Sequence, residues 1–594
     1  MAHAHDERAT GTAEGRELAA GERLAFVDQY PAAARVTRLC FGVSFTALLI
    51  GAVLGIVQAL HRTNVFRGVI SSSDYYSVLT GHGVLLALFF TIFFLSGAFT
   101  WGTSRSLGRD LPNPRFSLAW FGLQLGGAAA VAAAIFGGFV GQIPFEADVL
   151  YTFYAPLQAH PLFYAGLAAW LVGTWLAGAD WIRSYLRWRS DNRGERVPLQ
   201  TFMVLTTMLM WYISTVGVAV EVLVFLLPLS MGLIESVDPL LTRTLFWYFG
   251  HPVVYFWLMP AYFAWYTILP KLAGGRLFSD PLARVVFVLF LILSTPVGFH
   301  HQYADPGVAE GFKFVAMTNT MFLLLPSFLT AFTVVASMEY GARRRGGSGY
   351  FGWMKALPWA NPAFAGMALA GLMFAAGGFS GIVNAGMNIN SLVHNTLWVP
   401  GHFHLTVGTA SALTMMALSY WLYPQVTGKR LQLYGVAQVQ PYVWFIGMAL
   451  MSNAMHRAGL AGVPRRTAEP QYDQVSFEAA LGSIPEMRLQ IAVGGALLTL
   501  GAALFAAVML ATWFADRGRG RLRVDSHLPE PISGPEDAPR VLDNFRLWAA
   551  IAVVLVAIAY GFPIFSMVAD GPFDPAAPPV PVGVVDAALG VFLG

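Results

Sequence analysis

The chain has 594 residues, of which 56% are hydrophobic and only 12% charged, against roughly 25% charged in a soluble domain. That excludes a water-soluble globular enzyme, and a formal charge of +3 spread along the chain excludes a nucleic-acid-binding surface. The single cysteine, Cys40, excludes an internal disulfide, an iron–sulfur cluster and a cysteine-built dicopper centre.

Residues 1–35 are polar and mixed in charge, without the basic-then-apolar pattern of a cleaved signal peptide. They read as a mobile cytoplasmic arm in which His3 and His5 are incidental. Thirteen apolar spans follow, near 36–60, 76–101, 116–141, 158–180, 199–231, 240–270, 283–302, 311–338, 361–385, 391–424, 437–460, 486–514 and 546–570. Each reaches the ~20 residues that cross a bilayer as a helix. Strand-length alternation is absent, so the chain reads as an all-α integral membrane bundle rather than a barrel. Residues 36–570 form one membrane domain, and 571–594 an external tail. The small-residue run GGAAAVAAAIFGG (126–138) lets helix backbones approach closely in lipid. No internal repeat supports a transporter with inverted halves.

Loops after even-numbered spans are basic: TSRSLGRDLPNPR, RSYLRWRSDNRGER, KLAGGR, GARRRGG, TGKR and RGRGRLR. Loops after odd-numbered spans are acidic or neutral: FEAD, IESVDP, ADPGVAE and NAGMNIN. The positive-inside rule then puts the N-terminus in the cytoplasm and the C-terminus outside, in a multi-pass protein of the cell (inner) membrane. Arg465 and Arg466 break the pattern in an outer loop.

Six histidines fall in the outer half of the spans. His82 lies in span two, His251 in span six, His300 and His301 near the outer end of span seven, and His402 and His404 about a dozen residues into span ten. At 1.5 Å per residue all six reach a similar depth. Ionisable groups inside a membrane are costly and mark function. In VPGHFHLTVG (399–408) the two imidazoles are one residue apart, so they point about 200° from each other around a helix. Such a helix can stand between two flat cofactors. His82 is available to complete one of them, and the other keeps an open position that a metal held by His251, His300 and His301 can face. Imidazole is a common ligand of haem iron and copper, and three imidazoles suit copper. Tyr255, Tyr262 and Tyr266 share one stripe of span six, and Ser327, Thr330 and Thr333 one face of span eight. Glu221 in span five reads as a structural hydrogen-bonding group.

The segments LTGHGV (79–84), GHPVVYFWLMPAYFAWYTILPK (250–271), STPVGFHHQYADPG (294–307), VHNTLWVPGHFHL (393–405), GVPRR (462–466) and ISGPED (532–537) resemble subunit I of the haem–copper oxygen reductases, closest to the B family or ba-three type. The resemblance spans nearly the whole chain. It implies a cytochrome c oxidase that reduces oxygen to water and translocates protons. His82 and His404 would be axial ligands of a low-spin haem, of b type by family. His402 would be the proximal ligand of a high-spin, a-type haem. His251, His300 and His301 would hold one copper ion, with Tyr255 covalently linked to His251. Arg465, Arg466 and His394 would meet haem propionates. The two hydroxyl stripes would conduct protons from the cytoplasm to Tyr255. Val253 stands where the A family carries a glutamate, which argues against that family's second proton channel. Asn390 stands where the family often has an acidic residue, so a carboxylate that would help hold a pumped proton is missing.

The chain has no centre of its own at which electrons could arrive. The resemblance therefore implies a subunit II with an external dicopper domain, fed by cytochrome c or a blue-copper protein. The competing readings are a nitric oxide reductase of the same superfamily, a quinol-oxidising variant and a multi-span transporter. Tyr255, and the lack of a carboxylate nearby in span six, favour oxygen.

Overall fold

The structure, a computed structural model, describes residues 22–66, 69–142, 151–468, 481–518 and 522–575. Residues 1–21, with His3 and His5, and the tail from 576 lie outside the described residues. Among the described residues, thirteen long helices run in chain order. They are α1 Pro31–Arg62, α2 Ser72–Leu107, α3 Pro114–Phe139, α4 Pro161–Asp191, α5 Leu199–Ser230, α6 Pro239–Leu272 and α7 Asp280–Ser294. They continue as α8 Glu310–Arg344, α9 Pro362–Ala385, α10 Trp398–Thr427, α11 Tyr434–Leu460, α12 Ile484–Phe514 and α13 Phe545–Asp570. Eleven are long and apolar enough to cross a membrane. Of the other two, α7 has only 15 residues, and α11 carries Gln438, Gln440, Asn453, His456 and Arg457.

The helix starts follow from local chemistry. Asn113, Asp238, Ser279, Asn361 and Ser483 each accept a backbone N–H of the first turn, and each is followed closely by a proline whose missing N–H costs nothing there. Ser71 and Asp74 form a capping box. The small-residue reading of 126–138 has a structural counterpart: a Cβ on Gly166 would stand 2.8 Å from the Gly127 carbonyl, so α3 and α4 touch backbone to backbone. Gly447 and Gly494 do the same for α11 and α12.

Three features depart from a set of plain helices. Pro296 closes α7 early, and the chain continues as a 3₁₀ turn, Gly298–Gln302, that carries His300 and His301. Span ten starts later than expected. A short helix, Met387–Val393, precedes it, Asn395 takes a left-handed conformation (φ 58°), and α10 begins only at Trp398. His402 therefore lies in the first turns of α10, not a dozen residues into it. Finally, π-helical turns interrupt α2 at Val84–Phe90, α5 at Glu221–Leu226 and α10 at Thr406–Ser411. Each inserts extra backbone per turn and re-aims the faces on either side.

At the end that the basic loops mark, strand β1 (Glu22–Leu24) pairs antiparallel with β2 (Arg523–Asp525). The expected arm, residues 1–35, thus contains strand β1 and the start of α1. Buried Arg284 on α7 binds Asp280, Asp543 and the Val197 carbonyl, tying the segment before α13 to α5 and α7.

Candidate functional site

His82 on α2 and His404 on α10 face each other with ring centroids 6.3 Å apart and planes within 19°. His82 Nδ1 donates to the Gly51 carbonyl (2.8 Å), and His404 Nδ1 to the Pro400 carbonyl (2.7 Å). With the proton at Nδ1, each ring keeps Nε2 as a ligand atom. The spacing suits one metal ion held by both rings at about 2 Å from each nitrogen. His402 turns to a different neighbour. Its Nδ1 lies 3.0 Å from the Gly377 carbonyl and 3.0 Å from Ser380 Oγ, both on α9.

His251, His300 and His301 form a compact group whose ligand atoms all lie within 4.8 Å of one another, and no carboxylate belongs to it. Pro252 breaks α6 just after His251. His251 Nδ1 sits 3.2 Å from His301 Nε2. Its Nε2 is buried without a hydrogen-bond partner among the described residues, and the Tyr255 ring lies alongside with centroids 4.7 Å apart. Thr320 fixes the tautomer of His300. The Thr320 hydroxyl spends its one proton on the Ala316 carbonyl (2.6 Å), so at 3.0 Å it accepts from His300 Nδ1. His300 then keeps Nε2 as a ligand atom. Trp247 stacks flat on His301, with centroids 3.9 Å apart and planes within 6°, and donates Nε1–H to Tyr154 Oη at 2.7 Å. Three convergent imidazole nitrogens with no anionic group among them suit copper.

A loop clamp closes the outer side. Thr396 bridges to Pro464, and Leu397 N–H donates to the Val463 carbonyl at 2.8 Å. The Asn395 side-chain oxygen accepts from both Arg465 (3.0 Å) and Arg466 (3.2 Å). Asn390 Nδ2 donates to the Asn384 carbonyl (2.7 Å), so its oxygen faces His394 Nδ1 at 2.9 Å. Burial, and then the charges of Arg465, Arg243 and Arg466, lower the His394 pKa to about 4. Such a concentration of guanidinium groups is built for an anion. Arg243 also pairs with Asp305 and lies over the Tyr154 ring, 4.6 Å from its centroid.

The two hydroxyl stripes meet: Tyr266 Oη and Thr330 Oγ1 are 2.7 Å apart. Thr330 gives its proton to the Pro326 carbonyl (2.8 Å), so Tyr266 is the donor. Ser327 and Thr333 likewise bond back to carbonyls four residues earlier. The Tyr262 hydroxyl is buried near Ser327 and Thr330, its ring centroid 6.4 Å from that of Tyr266. Glu221 differs from expectation. It is fully buried at the start of the π turn in α5, and neither carboxyl oxygen has a hydrogen-bond partner among the described residues. The apolar neighbours of that turn offer it none.

Sequence reading missed the groups that hold the imidazoles: the Gly51 and Gly377 carbonyls, Ser380, Thr320 and Trp247. It also missed two glycines. A Cβ at Gly55 would stand 2.9 Å from His82 Cε1, and one at Gly381 2.9 Å from His402 Cε1. The only signal was that glycines cluster in the apolar run GGFSG (377–381).

Residues 35–497 match the family model described as cytochrome c and quinol oxidase polypeptide I. The chain is 43% identical over 533 residues to cytochrome c oxidase subunit 1 of Thermus thermophilus, covering 87% of this chain and 92% of that protein. It is 26% identical over 457 residues to the alternative cytochrome c oxidase subunit 1 of Bradyrhizobium diazoefficiens, covering 72% and 74%. One chain of a solved haem–copper terminal oxidase dimer superposes with a TM-score of 0.83 at 34% identity, covering 95% of this chain and all of that one.

Proposed function

The chain belongs to the cytochrome c and quinol oxidase polypeptide I family, and from that premise we propose roles for its individual residues. It is a multi-pass membrane protein and subunit I of a haem–copper terminal oxidase. His82 and His404 hold a low-spin haem of b type, His402 holds a high-spin haem of a type, and His251, His300 and His301 hold one copper ion. When bound, these groups carry electrons and supply the centre at which oxygen is reduced to water. The observation that carries the reading is the all-imidazole trio with Tyr255 beside it and no carboxylate within it.

The protein's own side chains do the rest. Gly51, Pro400, Gly377 and Thr320 take the Nδ1 protons of four imidazoles and so hold their tautomers. His251 presents Nδ1 to the trio, which leaves Nε2 for a covalent bond to the Tyr255 ring. Forming that bond breaks one N–H and one C–H bond and releases two protons and two electrons, which the oxygen-reducing activity itself accepts. Tyr255, beside His251, would supply a proton and an electron to the reduction that the bound groups would carry out. Tyr262, Tyr266, Ser327, Thr330 and Thr333 pass protons toward it, water bridging Tyr255, Tyr262 and Tyr266. By the loop charges these arrive from the cytoplasmic side. Arg465, Arg466 and His394 seat the haem carboxylates at the outer clamp. Electrons come from a subunit II, with a dicopper centre, that accepts them from cytochrome c or a blue-copper protein.

Metal content tests the reading. Protein purified from its membrane and freed of any dicopper subunit should carry two irons and one copper per chain. Three irons without copper would replace it with nitric oxide reduction. Tyr255→Phe should keep both haems and lose turnover by roughly 10²-fold or more; normal oxygen uptake by that variant would refute the role of Tyr255.

A further inference from the structure

The His402 imidazole is held by more than a backbone carbonyl. Its Nδ1 lies 3.0 Å from the Gly377 carbonyl and 3.0 Å from Ser380 Oγ, and Ser380 Oγ lies 2.9 Å from that same carbonyl. The three atoms close a triangle. A serine hydroxyl has one proton to give. With His402 Nδ1–H as donor, Ser380 donates to Gly377 and accepts from the ring. Donating its own proton makes the hydroxyl oxygen a better acceptor. The imidazole N–H is thus shared between two acceptors one turn apart on α9, which defines the plane of the ring as well as its tautomer.

The surroundings hold this arrangement. Ser380 is buried, and Gly381 beside it leaves room for the ring, because a Cβ there would stand 2.9 Å from His402 Cε1. Trp398 donates Nε1–H to the Ser380 carbonyl at 3.3 Å and packs edge-on against His456, with centroids 4.5 Å apart. Side chains of α10 and α11 therefore fix the backbone of α9 at the point where its hydroxyl meets the ring.

We infer that Ser380 is a positioning residue for His402. It sets the plane of the imidazole and gives the Nδ1 proton a second acceptor, so a side chain adjusts how strongly that ring donates to iron. The inference rests on His402 holding the high-spin haem, as proposed above. A second acceptor makes a metal-bound imidazole more basic and favours the oxidised metal.

The test uses the intact oxidase with Ser380→Ala and Ser380→Thr, read by redox titration and by the iron–histidine stretching band. Ser380→Ala should favour reduction of the high-spin haem by up to about tenfold, equivalent to about 59 mV for one electron. It should also move the iron–histidine band and leave the low-spin haem unchanged. Ser380→Thr, which keeps the hydroxyl, should restore both signals. Unchanged signals in Ser380→Ala, an equal shift at both haems, or a shift that threonine does not restore would each overturn the inference. His402→Ala separates it from the reading beneath: a high-spin signal that survives there removes His402 as the ligand. Its loss there, together with a silent Ser380→Ala, removes Ser380 alone.

Discussion

His394 shows how a neighbourhood sets the behaviour of one side chain. Burial and three guanidinium groups lower its pKa to about 4, from an ordinary 6.5. Between those values the unfolded chain binds a proton that the folded chain refuses. Stability is therefore unaffected by His394 above pH 6.5 and falls as the pH drops toward 4. In haem-free protein, His394→Asn should flatten the loss of melting temperature between pH 7 and 5. A carboxylate seated among Arg465, Arg466 and Arg243 reverses the sign, so haem-loaded protein should protonate His394 at a higher pH. Infrared difference spectra with labelled histidine check both. Asn390 bears on the same point, since a neutral amide now faces His394 Nδ1. At this scale the sequence marked each histidine by type and spacing. Which ring nitrogen stays available was not legible, because for His82, His300 and His402 that depends on acceptors contributed by other helices.

At the scale of the element, the histidines depend on where their helices touch. The close approach of α9 to α10 rests on Gly381. Gly381→Ala should displace the His402 ring and change the high-spin spectrum while the chain still folds; an unaltered spectrum would show that the ring can shift freely. The π turns after His82 and His404 were not legible in the sequence, because hydropathy reports which residues enter lipid and not how many occupy one turn. The late start of α10 was hidden for a related reason. Residues 391–397 are apolar enough to extend the span, but the pairing of 396–397 with 463–464 and the left-handed Asn395 hold them out of the helix.

At the scale of the whole molecule, helices far apart in sequence are tied by a few buried polar contacts. Arg284 joins α7 to Asp543 and to the Val197 carbonyl. Arg284→Met should destabilise the protein by about 3 kcal/mol, because it leaves Asp280 buried with its charge uncompensated. A thermal melt of Arg284→Met against the double variant Arg284→Met, Asp280→Leu checks this, since the second change should recover part of the loss. The same logic joins the proton-path residues: Tyr266 and Thr330 meet across α6 and α8 at 2.7 Å, which neither stripe alone implies.

The sequence by itself determined the helical membrane class, the order of its long apolar segments, which loops are basic and the identity of the histidines. Hydropathy, charge and side-chain type belong to each residue and need no partner to be read. Only the tertiary structure decided that His82 faces His404, that His402 turns to Gly377 and Ser380, and that His251 keeps a buried Nε2 beside Tyr255. Those relations depend on angstrom-scale contacts between helices remote in sequence. There the carbonyls and hydroxyls that receive a proton carry no signal of their own.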